Sequence, residues 1–183
     1  LIATGLLAAM RLAVGRADGL DLLAAPEGQP LAVARRSFWA VALALPGFLM
    51  LRAVDTQPQG YMHGLGRDLL GYVIGWIGFV LISHQLARLG GRVALWPRFV
   101  AAWNFCNVIQ YVMLMVASVP SVLGWPAWLA QTAWLVAISW TIWLEYFTTR
   151  NAMRLPIGLA IGWVAIDFAL GIAVDAAMSS FGA

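Results

Sequence analysis

Five stretches of the chain, at about 36–54, 68–89, 99–119, 127–149 and 155–178, each run for roughly 20 residues with very little charge. A helix of that length, rising about 1.5 Å per residue, crosses the ~30 Å hydrocarbon layer of a bilayer. The breaks between them read "DTQPQGYMHGLGR", "GGRVALWPR", "VPSVLGWP" and "RNAMRLP". Each contains Gly, Pro or Arg, the residues that end apolar helices. The pattern predicts an all-α polytopic membrane protein with five transmembrane helices, folded as one membrane domain over residues 1–183. Pro46 falls inside the first span and is expected to kink it.

Residues 1–30 precede the first span. "LIATGLLAAMRLAVGR" is too short to cross with comfort and carries Arg11 and Arg16. It is expected to form an interfacial amphipathic helix with both guanidinium groups among the headgroups. A polar connection follows, and Pro30 can open the next helix. The chain begins at Leu1 rather than Met, so a few residues are expected to precede it, and residues 1–17 read as mature protein.

Composition closes off other classes. Of 183 residues, 62% are hydrophobic and 10% charged, against about 25% charged in soluble domains. No segment could cover itself with polar surface, and no basic run with interleaved aromatics suggests nucleic acid. The single cysteine, Cys106, excludes an intrachain disulfide framework. All 11 cations are arginine, which suits a GC-rich bacterial gene and an inner-membrane location.

The arginines also orient the chain. Arg11, Arg16, Arg35, Arg36, Arg88, Arg92, Arg98, Arg150 and Arg154 fall on one side of the five spans, and only Arg52 and Arg67 on the other. By the positive-inside rule the N-terminus is cytoplasmic and the C-terminus external. Trp39, Trp96, Trp125 and Trp128 lie near the expected interfaces, whereas Trp76, Trp134, Trp140 and Trp163 lie deeper and are expected to pack between helices.

Among the polar residues inside the spans, six stand out: His84, Asn104, Asn107, Gln110, Glu145 and Asp167. Counting from the span ends puts His84 level with Asn104 and Asp167 level with Gln110 near the midplane. Together they form a candidate intramembrane polar site. Buried ionisable groups in membranes often mark proton or solute paths, whereas Asn and Gln often serve as hydrogen bonds between helices. The amides are expected to be such bonds, each aimed at a neighbouring helix, with no continuous cavity joining them to Asp167. Glu145 is expected to pair with Arg150 or Arg154, and His84 to be a packing residue.

No chemistry-bearing motif accompanies them. His63 and His84 are too far apart to share a metal, and no HExxH, CxxC, GxSxG or phosphate loop occurs. No cofactor is expected and no enzymatic activity. Gly71, Gly75 and Gly78 on the second span, and Gly158 and Gly162 on the fifth, form small-residue faces suited to close helix approach. The fifth span, with Asp167 on its other side, is expected to be central. Five helices do not divide into two inverted halves, which disfavours a transporter built that way.

The layout resembles that of the Yip1-domain family and of uncharacterised bacterial five-helix membrane proteins. The local likeness is "RRSFWAVALALP", Arg35 to Pro46, with the aromatic pair Phe38 and Trp39 opening the first span. The family's acidic–Gly–Pro motif ahead of that span is absent. The resemblance implies a non-enzymatic membrane organiser, or an accessory subunit of a larger complex, acting through lipid, protein partners or its own copies. The alternative expectation is a small transporter or proton-linked permease working around Asp167.

Overall fold

The computed structural model describes residues 2–25, 29–55 and 64–180. Among them the chain forms α1 (Ile2–Ala13), α2 (Ala32–Ser37), α3 (Trp39–Asp55), α4 (Leu65–Leu89), α5 (Trp96–Val122), α6 (Ala127–Met153) and α7 (Ile157–Ser180). Short 3-10 segments cover Ala17–Leu23 and Val93–Leu95. Five stretches are long and apolar enough to cross a membrane: Ala32–Val54, Leu65–Leu89, Val93–Val122, Ala127–Met153 and Ile157–Ser180. The class is therefore an all-α polytopic protein. Large apolar side chains cover its outside, with Ile172 70%, Leu135 65% and Leu81 62% exposed. In water such a surface would be a liability, but against lipid tails it costs nothing.

α5 is the hub, and not α7 as the glycine pattern suggested. It packs against α6, α3, α1 and α2. Its first turns are enclosed on every side: residues 99–106 are all buried. α7 instead leans on α4 and α6 at the edge of the bundle. The small-residue faces explain the difference. A Cβ placed on Gly71 or Gly78 of α4 would touch Met178 or Leu170 of α7, so these glycines do set the α4–α7 approach. Around Gly158 and Gly162 nothing lies within 4 Å. The α7 glycine face thus has no partner among the described residues.

Aromatic contacts fix the register of α4 against α5. His84 meets Trp96, with ring centroids 4.8 Å apart. Phe79 meets both Phe99 and Trp103, Trp76 meets Trp103, and Tyr72 meets Tyr111. His84 therefore lies level with Trp96, about two turns from Asn104, and the expected layer of His84 with Asn104 does not form.

α1 docks as well as lying along the surface. Gly5, Ala8, Ala9 and Leu12, one helical face, are buried against α5 and the Ala17–Leu23 segment. At Gly5 the fit is closest, since any Cβ there would overlap the Phe105 ring. Leu7, Met10 and Val14 stay exposed on the outward side, as an interfacial helix requires. Arg11 and Arg16, expected among headgroups, both bind Asp18, at 3.4 and 2.7 Å. The Arg16 hydrogen bond, helped by the charge of both guanidinium groups, holds the Asp18 carboxyl below the usual carboxylate range.

Candidate functional site: a cavity between α3, α4, α5 and α7

α4 touches α5 only sparsely while it packs closely on α7. The space this leaves is a cavity of about 630 Å³. Its walls come from Phe48 and Leu51 of α3, Tyr72 and Trp76 of α4, Trp103, Asn107 and Tyr111 of α5, and Leu170 and Val174 of α7. Gly75 and Gly171 line it too and have nothing within 4 Å of where a Cβ would stand. At one end lies Asp167; at the other are Arg52, Arg67, Asp68 and Asp175, where α3 and α7 end and α4 begins.

The aromatic walls brace one another. Phe48 packs on Tyr72 at 4.7 Å, Tyr72 on Trp76 at 5.9 Å, and Trp76 edge-on to Trp103 at 5.1 Å. The Tyr72 hydroxyl donates to the Val41 carbonyl at 2.7 Å, tying α4 to α3. Polar pairs hold the far end. Arg52 and Arg67 both donate to Asp68, and the Arg52 side chain is only 8% exposed. An arginine this enclosed in an apolar bundle needs its carboxylate partner.

Asp167 is held by two groups. The Trp103 indole N–H donates to its Oδ2 at 3.3 Å. Its carboxyl group also lies within hydrogen-bonding reach of the Glu145 carboxyl. A bond between two carboxyl groups needs a proton on one of them. Asp167 stands ten residues into α7, Glu145 eight from the end of α6 and Trp103 seven into α5, so the three meet at one level. Glu145 is buried at 8% exposure, and its Oε1 has no hydrogen-bond partner. This overturns the expected pairing of Glu145 with Arg150 or Arg154. Arg150 reaches the Tyr146 hydroxyl instead, at 3.4 Å, because Glu145 points inward to α7. It also moves Asp167 away from Gln110, toward the arginine-rich end by about two turns.

The amides divide. Asn104, fully buried, donates to the Ser37 hydroxyl of α2 at 2.7 Å. Gln110 donates to the Thr141 carbonyl of α6 at 2.9 Å. Both point at neighbouring helices, as expected. Asn107 does not: it donates to the Trp103 carbonyl of its own helix at 2.9 Å and lines the cavity with Asp167. The expectation that no cavity joins an amide to Asp167 is overturned at this residue. Asn104, Gln110, Glu145 and His84 do not line the cavity.

Of the deep tryptophans, Trp76 and Trp163 are buried and Trp140 packs against the core, whereas Trp134 is 37% exposed. Cys106 is buried and unpaired, its sulfur 3.5 Å from the Thr148 hydroxyl. Among the described residues no three His, Cys, Asp or Glu side chains gather as a metal site. His63 lies outside the described residues. Sequence reasoning missed the aromatic walls and the Arg52–Asp68 pair. The spacing of Tyr72, Trp76 and Phe79 on one side of a helix was the signal for the walls; nothing local linked Arg52 to Asp68.

The fold defines a polytopic helical membrane protein with an open, aromatic-walled cleft that carries charged side chains at both ends. No family model, curated protein or solved structure matches the chain.

Proposed function

We propose that the protein is a small proton-linked membrane carrier whose solute occupies the cavity above Asp167. The single observation that carries this reading is the junction of the cavity with the Asp167–Glu145 pair. The two carboxyl groups meet inside the bundle and can share a proton there, next to space large enough for a small molecule. With the arginine-rich side cytoplasmic and the protein in a bacterial inner membrane, the cavity's Arg52–Asp68 end faces outward. The experiment uses purified protein in liposomes that trap a pH-sensitive dye, challenged with small solutes of each charge class. One class should move protons in wild type and not in Asp167→Asn. Absence of solute-dependent proton movement in folded protein rejects the carrier reading.

A second reading is association, as a Yip1-like organiser or accessory subunit. It is favoured by the unpartnered Gly158–Gly162 face of α7. On that reading a bulky residue at Gly158 abolishes a native oligomer or subunit contact that mild-detergent purification retains.

A further inference from the structure

We propose that the cavity takes an organic monocation, an ammonium group on an apolar body, with the charged group at Asp167. The inference rests on the reading of the cavity as a solute site and names the class of solute.

Charge supplies the first argument. Two arginines and three aspartates line the cavity. Arg52 and Arg67 lie together at one end, where both pair with Asp68 and Asp175 also lines the wall. Asp167 is at the other end, where the Trp103 indole N–H donates to it and, among the described residues, no arginine pairs with it. Among the described lining residues the carboxylates thus outnumber the guanidinium groups by one. An uncompensated carboxylate in an apolar bundle is costly, and a ligand cation removes that cost.

The walls supply the second argument, independent of charge counting. Trp76 and Trp103 pack edge-on at 5.1 Å beside Asp167, and Tyr72 continues the surface outward. Indole and phenol faces attract a desolvated ammonium group and repel an anion. The free volume of about 630 Å³ suits a drug-sized ligand better than a bare metal ion.

The test is calorimetric titration of the full chain in lipid nanodiscs with benzyltrimethylammonium. Neopentylbenzene, of the same shape without charge, and phenylmethanesulfonate serve as comparisons. The ammonium should bind at least tenfold more tightly than either. Asp167→Asn should lose that preference while its unfolding midpoint stays near that of wild type. Gly75→Leu is the second variant: it fills empty space from a helix position that needs no glycine, so the protein folds and binding is blocked. Equal binding of the neutral compound, preference for the sulfonate, or undiminished binding in a folded Gly75→Leu protein would overturn the proposal. The two readings separate cleanly. Ammonium binding without coupled proton movement supports this inference and rejects the carrier; proton-coupled movement of an anion alone does the reverse.

Discussion

Gln110 donates to a carbonyl, that of Thr141, which α6 already uses in its own backbone ladder. Its loss leaves no orphan acceptor behind. Gln110→Leu should therefore cost only about 1 kcal/mol, the usual size of a polar contact between membrane helices. Asn107 bonds to its own helix, so Asn107→Leu should cost less still in stability, yet push an apolar group into the cavity beside Asp167. Reversible unfolding in detergent checks both values. A loss above about 3 kcal/mol at Gln110 would mean the amide anchors the bundle rather than tying two helices. Asn107 and Gln110 are both amides, three residues apart on one helix. Their polarity announced that each needed a partner, but a hydrogen-bond donor is silent about which neighbour will come within 3 Å.

At the scale of elements, glycines separate contacts that are made from those that are not. In α1, Gly5 lets the helix lie against Phe105. Gly5→Leu should lift α1 off α5 at a cost of about 1–3 kcal/mol, as overpacking does. Amide exchange over 2–13 should then rise while α5 remains protected. Gly158→Leu should leave the stability of the single chain unchanged or slightly higher, since nothing stands within 4 Å and leucine favours helix over glycine. Both glycines sit in apolar helices with small neighbours, and the sequence treats them alike. Helix positions were legible because the bilayer demands about 20 apolar residues per span. Helix ends were less so: α5 starts at Trp96 and α2 at Ala32, each a few residues outside the apolar run.

The whole molecule is packed unevenly. Around the first turns of α5, helices α1, α2, α3 and α6 leave no free surface. Toward the other end α4 stands off α5 and the cavity opens. In the proposed orientation the packed end is the cytoplasmic one. A reporter fused after Ala183 should then read external, and one inserted in "GGRVALWPR" cytoplasmic. A cytoplasmic reading at the C-terminus would place the cavity mouth on the opposite face from the one proposed. What the sequence determined by itself is the number of spans, their rough limits and the asymmetry of arginine. These follow from the length of hydrocarbon to be crossed and from charges that lipid rejects, which act on each segment separately. What only the tertiary structure decided is which span is central, which acid meets which, and where space remains. In lipid every apolar face is equally content, so hydropathy is nearly blind to the choice of neighbour. Close packing makes that choice, through Phe105 against Gly5, Leu170 against Gly78 and Trp103 against Asp167.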